Sequence, residues 1–254
     1  MTDRSYGRVV SVGDRNTWFE ADFSAGAIRH RTAPDGATAE GRRMARVLFD
    51  LDADLEAFLE LARADRVLRP LVRKRPGLRR PLVLDPFEAA VRAIVGQLVS
   101  VTAASTMVSR LVKSFGSSVE RLEGTAVAFP SAADLSSAGA TRLSSLGLTR
   151  AKSVALVALG ERCVRGDLDW VALRREPDRA ERILQSIPGI GPWTSGYVRW
   201  RGLGDPDGFP HQDLGIVKAL AARGVDRGEI ARRTDRWRPW RGFAVCHLWA
   251  SLAD

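Results

Sequence analysis

Apolar and polar positions alternate near the start of the chain. Val9, Val10 and Val12 around Ser11, then Thr17 to Phe23, then Ala27 to Arg31, follow the two-residue period of half-buried strands. Gly13-Asp14 and Ser24-Ala25-Gly26 are turn signals, so residues 7–31 are expected to be short strands joined by turns. From Glu40 to about Arg73 the period changes. Met44, Val47, Leu48, Leu51, Leu55, Phe58, Leu59 and Leu61 recur at helical spacing. Pro76-Gly77-Leu78-Arg79-Arg80-Pro81 reads as a linker or long turn. Beyond it the pattern is helical, interrupted at Pro130, Gly147, Gly166, Pro177 and Pro206-Asp207-Gly208, with no internal repeat or low-complexity tract. The expected fold is mainly α, with a small α+β domain at 1–78 (short strands, then helices) and an all-α domain at 79–254.

One interruption carries candidate chemistry. Asp178, just after the breaker Pro177, is expected to cap a helix bearing Ile183, Leu184 and Ile187. Pro188 and Gly189 stop it. Pro192 suits the first turn of the next helix, whose Trp193, Tyr197 and Trp200 share a face. Gly189 and Gly191 can take positive φ without steric cost and let a phosphate approach the backbone. The second helix then offers free N–H groups and a positive dipole end. The carbonyls ending the first helix are also free and can hold a small monovalent cation. Taken alone, such a turn reads first as an ordinary helix–helix corner with glycine caps. Asp213, ahead of Leu214, Ile216, Val217 and Leu220, reads from position alone as an N-cap.

Composition narrows the partners. The 254 residues suffice for one large or two modest domains, and 45% hydrophobic content is that of a globular protein. The net charge of +9, carried almost wholly by arginine, favours a polyanion such as nucleic acid. The basic run Arg73, Lys74, Arg75, Arg79 and Arg80 reads as a solvated linker or a weak DNA-backbone contact. Arg236, Arg238 and Arg241 interleave with Trp237 and Trp240 and can stack structurally. Cys163 and Cys246 suggest neither a disulfide framework nor a zinc cluster, and His30 and His247 have no metal spacing. His211 faces phosphate or only solvent. With no signal peptide and no membrane-length apolar run, a cytoplasmic protein that does not engage membranes is the default expectation.

Three strings change the weighing. LQSIPGIGPWTSGYVRWRGLGDPDGFPHQDLGIVKAL, starting at Leu184, closely resembles the helix-hairpin-helix DNA glycosylases, and within them the bacterial 3-methyladenine DNA glycosylase II (AlkA-like) type. DPFEAAVRAIVGQLVSVTAAS at 85–105 is similar to that family's wedge-bearing helix, and RWRPWRGFAVCHLWASL at 236–252 to its C-terminal helix. The resemblance runs from about Tyr6 to the C-terminus. It implies the all-α helix-hairpin-helix glycosylase fold and Asp213 as the catalytic aspartate. It also implies a base pocket lined by Trp193, Tyr197 and Trp249, and Leu98, after Gln97, filling the gap left by a flipped nucleotide. Gly189, Ile190, Gly191 and Thr194 would meet the DNA backbone with Gln97 and Leu98. The carbonyls of Gln185, Ile187 and Gly189 would hold Na+ or K+; no cofactor would be required, and the four-cysteine iron–sulfur loop of some relatives is absent. Leu214 stands where the family pattern has an aromatic, Gln212 where it has a second Asp, and the chain would begin inside the family's N-terminal domain.

The implied function is a monomeric, monofunctional enzyme of base excision repair, nucleoid-associated when acting on double-stranded DNA with alkylated bases. It would flip out alkylated purines of the 3-methyladenine and 7-methylguanine class and hydrolyse the N-glycosidic bond, leaving an abasic site. Relatives with lyase chemistry carry a lysine where this chain has Trp193. The alternative is a non-catalytic module that recognises damaged or bent DNA. An enzyme of small nucleosides fits the backbone clamp poorly.

Overall fold

The computed structural model describes residues 5–12, 15–24, 27–33, 38–121 and 123–254. Strands β1 (Ser5–Val12), β2 (Arg15–Ser24) and β3 (Ala27–Ala33) form one antiparallel sheet in that order. The turn residues Gly13, Asp14, Ala25 and Gly26 lie outside the described residues. Alternation puts Val10, Phe19 and Ala21 in one cluster with Met44, Ala45 and Leu48 of helix α1 (Ala39–Leu48). Thr38 caps α1, its hydroxyl accepting from Gly41 N at 2.9 Å.

The helical pattern from Glu40 to Arg73 resolves into three helices: α1, α2 (Leu55–Ala64) and α3 (Arg69–Lys74). Aspartates cut it. Asp54 accepts from Ala57 N at 3.2 Å, and Asp65 from Val67 N and Leu68 N at 2.8 and 3.1 Å. Each offers the backbone a local alternative to the helix ladder. Residues 75–85 carry no regular element, as a linker should, yet they are tied down. Arg80 is buried against Asp50 (2.7 Å) and donates to Gly204 O (2.9 Å), while Arg79 donates to Asp50 O (2.7 Å). Lys74 and Arg75 pair with Asp254. Most of the basic run therefore staples the fold rather than facing solvent.

Helices α4 (Pro86–Gly96) and α5 (Val101–Phe115) precede a hairpin of β4 (Ser118–Glu120) and β5 (Thr125–Val127). The periodicity gave only helices here, because three-residue strands are too short to display alternation. Then come α6 (Ala132–Ser144), α7 (Arg150–Val164), α8 (Trp170–Arg175), α9 (Pro177–Gln185) and α10 (Pro192–Arg201). Last are α11 (Leu214–Ala221), a 3-10 turn (Arg227–Glu229), α12 (Ile230–Asp235) and α13 (Arg241–Ala250). Pro177 opens α9 rather than breaking a helix, and Glu176, not Asp178, holds the cap position. The first helical residue has no N–H bond to lose, which is why proline fits there.

The protein is thus mainly α with a small N-terminal sheet, the class the pattern implied. Two helical cores lie behind it. One gathers Val91, Ile94, Leu111, Leu143, Leu156, Leu184 and Val198; the other gathers Phe58, Leu68, Trp200, Trp237, Phe243 and Leu248. Helices α2 and α3, on the N-terminal side of residue 78, share the second core with α11 and α13. Trp193 packs on the first core, Trp249 on the second, and Tyr197 on both. The aromatic residues singled out from sequence therefore line the seam between the cores.

His247 of α13 is 2% exposed, and the Leu71 backbone offsets only part of the cost of burying its ring. Burial pushes its pKa down from 6.5 to about 4. The unfolded chain takes up this proton first as pH falls, so the neutral ring's contribution is complete above about pH 6.5 and is lost toward pH 4, by about 3 kcal/mol in all. Urea unfolding should show stability falling between pH 6.5 and 5 in the wild type. That component should be missing in His247→Leu; an identical decline in both proteins would contradict it.

Candidate active site

Residues 186–191 join α9 to α10. Ile187 and Ile190 are buried in the first core and pin the turn from inside. Gly189 is left-handed (φ 81°), and a Cβ there would lie 2.8 Å from Ala155 Cβ on α7. Gly191, which could also take positive φ, has φ −100° and forms the N-cap of α10. A Cβ on Gly191 would meet nothing within 4 Å, so the protein's own packing does not require a glycine there. No side chain caps α10, whose first residue is Pro192. Its leading N–H groups are left for water or a ligand. Of the three carbonyls expected to face a cation, Ile187 O accepts from Ile190 N at 3.1 Å and Gly189 O accepts from Gln97 Nε2 at 2.9 Å.

Gln97 and Leu98 follow the C-terminus of α4. The Gln97 amide bridges to the hairpin, donating to Gly189 O and to Thr194 Oγ1 (2.8 Å). Thr194 is buried, so its hydroxyl serves this tether rather than the surface. Leu98 is off the helix, 96% exposed, and left-handed at φ 54°. An exposed leucine in a conformation that costs a non-glycine residue on the order of 1 kcal/mol or more is not a packing residue.

Asp213 is both the cap of α11 and the centre of a ring of donors. Oδ1 accepts from Ile216 N and from Trp249 Nε1, each at 2.9 Å, and Oδ2 accepts from Trp193 Nε1 at 2.9 Å. Arg199 and Arg241 are engaged elsewhere, with Asp205 and Asp207. Among the described residues no lysine or arginine forms an ion pair with Asp213. Trp193 stacks on Tyr197 at 5.6 Å between centroids, and Tyr197 lies 6.4 Å from Trp249. Trp200 is the floor: buried, donating to Gly242 O at 2.9 Å, and edge-on to Trp249 at 5.0 Å. The result is a half-buried carboxylate, without a cation, on an aromatic wall. It can accept hydrogen bonds and stabilise positive charge beside a flat group.

His211 stands edge-on to Phe209 at 5.4 Å. Burial first, then Arg241, pushes its pKa down. Leu214 is exposed next to Asp213. Arg241 is buried against Asp207, where Arg238 also pairs, leaving Arg236 exposed.

Two glycines of the site were not legible as such. A Cβ on Gly215 would stand 3.0 Å from Asp213 Oδ1 and 3.2 Å from Trp249 Nε1, so its absence lets the indole reach the carboxylate. A Cβ on Gly196 would collide with the carbonyl of Phe209, so its absence lets α10 close on the segment leading to Asp213. Glycine inside an apolar helical pattern signals a close approach, but not to what.

The family model of the AlkA N-terminal domain matches residues 1–85. The probable bifunctional transcriptional activator/DNA repair enzyme AlkA of Mycobacterium tuberculosis is 41% identical over 222 residues, 85% of this chain but 42% of that protein. This chain thus spans less than half the length of that relative. The DNA-3-methyladenine glycosylase of Bacillus subtilis is 32% identical over 210 residues, 80% of this chain and 69% of that protein. Among solved structures, the 3-methyladenine DNA glycosylase from Archaeoglobus fulgidus superposes with a TM-score of 0.83 at 23% identity, covering 98% of this chain and 87% of that one.

Trp193→Phe and Trp249→Phe keep a ring but remove one donor to Asp213. Each should lower stability in urea by about 1–3 kcal/mol, the cost of a lost hydrogen bond to a charged group. Either change should cost much less in an Asp213→Ala background. Equal costs in the two backgrounds would show that the indoles act by packing alone.

Proposed function

The chain belongs to the DNA-3-methyladenine glycosylase family, and from that premise we propose that it is a monofunctional DNA glycosylase of base excision repair that removes alkylated purines from double-stranded DNA. The observation that carries the reading is Asp213: a carboxylate held by three N–H donors, without a cation, on an aromatic wall.

The path from DNA to product follows from the chain's own residues. Net charge of +9 draws the duplex, and contacts are mainly to phosphates. A phosphate approaches the open backbone at Gly191 and the uncapped start of α10, where N–H groups and the helix dipole favour an anion. A monovalent cation held by the carbonyls of Gln185, Ile187 and Gly189 would bridge protein and phosphate. Ile187 O and Gly189 O each accept one bond and keep a second lone pair. Leu98 enters the stack as the damaged nucleotide rotates out.

The extruded base lies against Trp193, Tyr197 and Trp249. Purines alkylated at N3 or N7 are cationic and are attracted to aromatic faces. The same charge weakens the C1′–N bond, so the leaving base needs little protonation. As the bond breaks the electron pair leaves with the base, and C1′ and the ring oxygen develop oxocarbenium character. Asp213 stabilises that charge and orients a water whose oxygen bonds to C1′ as its proton passes to the Asp213 carboxylate and on to solvent, giving free base and an abasic site. Strand cleavage would need an amine for Schiff-base chemistry. Trp193 occupies the second residue of α10, and the nearby Lys152 is buried and bonded to Val95 O at 2.8 Å.

Base release from methylated duplex DNA, with and without hot alkali, tests the reading. The wild type should release 3-methyladenine and 7-methylguanine, and strands should break only after alkali. Asp213→Asn should lose roughly 10²–10³-fold in rate, as when one charge-stabilising group is removed, while still binding DNA. Near-normal release by this variant would sink the assignment, and borohydride trapping of a protein–DNA adduct would sink the monofunctional part. Asn also turns an amide N–H₂ toward an indole N–H, so its unfolding curve belongs beside its rate. Gly191→Ala should unfold like the wild type, since its Cβ meets nothing within 4 Å, yet bind DNA about tenfold more weakly by obstructing the phosphate. Unchanged DNA affinity would remove the hairpin clamp from the mechanism.

A further inference from the structure

Lys152 is a buried charge that the proposed chemistry does not use. It sits in the first turn of α7, 7% exposed, and its ammonium donates to Val95 O at 2.8 Å. Burial alone pushes its pKa down, and among the described residues no carboxylate pairs with it. Placing an unpaired ammonium in the interior costs several kcal/mol, and an apolar side chain of similar volume is usually neutral or stabilising at such a position. Fold stability therefore does not account for a lysine here.

Its target does. Val95 is the penultimate residue of α4, which has no basic residue in its last turn. The carbonyl end of a helix favours a cation, and Lys152 supplies one from another element. Two residues beyond Val95 is Gln97, whose amide grips Gly189 O and Thr194 Oγ1; three beyond is Leu98, exposed and left-handed. The same stretch of α7 also supports the hairpin. Ala155 lies under Gly189, where a Cβ would stand 2.8 Å from it, and Ala151 O is 3.9 Å from the same position. One turn and a half of α7 thus fixes both the exit of α4 and the hairpin.

We propose that Lys152 is a positioning residue for the wedge: its ammonium holds the Val95 peptide so that Leu98 projects from the surface while Gln97 reaches the hairpin. A strained, exposed residue persists only where its surroundings over-determine it, and Lys152 with Gln97 provides that determination. The proposal rests on the glycosylase reading given above.

The experiment compares Lys152→Met, Lys152→Arg and wild type as full-length chains, on Leu98 and on Leu98→Ala backgrounds. Three quantities are read: thermal unfolding, affinity for a duplex carrying an abasic analogue, and the single-turnover rate of base release from methylated DNA. Lys152→Met should unfold at or above the wild-type temperature and bind within a few-fold, yet release base about tenfold more slowly, the scale expected of a displaced active-site element. Lys152→Arg should recover part of that rate. On the Leu98→Ala background, Lys152→Met should change the rate little. A wild-type rate in Lys152→Met would overturn the proposal alone, as would an undiminished loss without Leu98. Loss of cooperative unfolding in Lys152→Met would also overturn it, by making the charge structural. No base release by the wild type would overturn the functional reading and this proposal with it.

Discussion

The arrangement depends on one carboxylate satisfied entirely by neutral donors. The three N–H groups converging on Asp213 come from α10, α11 and α13, so the carboxylate is bound only when the two helical cores meet in register. A salt bridge would have bound it more simply but would have neutralised the charge that the proposed chemistry uses. Indole donors fix position while leaving the net charge in place. They also bring the aromatic faces to the carboxylate's side, so the wall and the charge are assembled by the same two contacts. Close packing pays for this: Gly215 clears the path of Trp249, and Gly196 lets α10 press against the backbone at Phe209.

The arginine-rich surface is less free than its charge suggests. Arg80, Arg199 and Arg241 are buried against Asp50, Asp205 and Asp207; Arg80 lies in an irregular segment itself, while Arg199 of α10 and Arg241 of α13 hold the irregular segment that carries Asp205 and Asp207. Residues 75–85 and 202–213 run between helices and carry few ladder hydrogen bonds. Bidentate guanidinium–carboxylate pairs give such segments a fixed geometry that apolar contact alone would not. The net +9 still sets the field that draws a polyanion, yet much of the arginine serves architecture.

Legibility in the sequence followed the range of each interaction. Strands β1 to β3 and the helix α10 announced themselves because alternation and helical spacing are local. Asp213, Trp193 and Trp249 were legible as individual candidates, but their mutual hydrogen bonds were not, since no local signal relates positions 20 and 36 residues apart. The split of the first long helical pattern was missed because Asp54 and Asp65 look like ordinary surface residues until their carboxylates are seen bonding the next turn. Both Gly189 and Gly191 can take positive φ, but of the two only Gly189 does. A glycine in a turn has several uses, and sequence does not say which one holds. The tethers Lys152 to Val95 O and Gln97 to Gly189 O span 57 and 92 residues and join side chain to backbone, a class of contact without a residue-pair signature.

Left-handed strain marks both the segment after α4 and the residue before Asp213. Among the non-glycine residues with positive φ are Leu98, between α4 and α5, and Gln212, immediately before Asp213. Glycine would remove the strain at either place. At Leu98 it would also remove the side chain proposed to fill the vacated stack, so conformation and the proposed chemistry make opposite demands on one position. The resolution is external. Gln97 grips the hairpin, Lys152 holds the end of α4, and Ser100 caps α5 by accepting from Ala103 N at 3.2 Å, so residues on both sides of Leu98 are fixed. At Gln212 the same logic applies through Asp213, whose three bonds anchor the next residue. At both of these loop positions the strain is held by hydrogen bonds from flanking residues to a rigid helix.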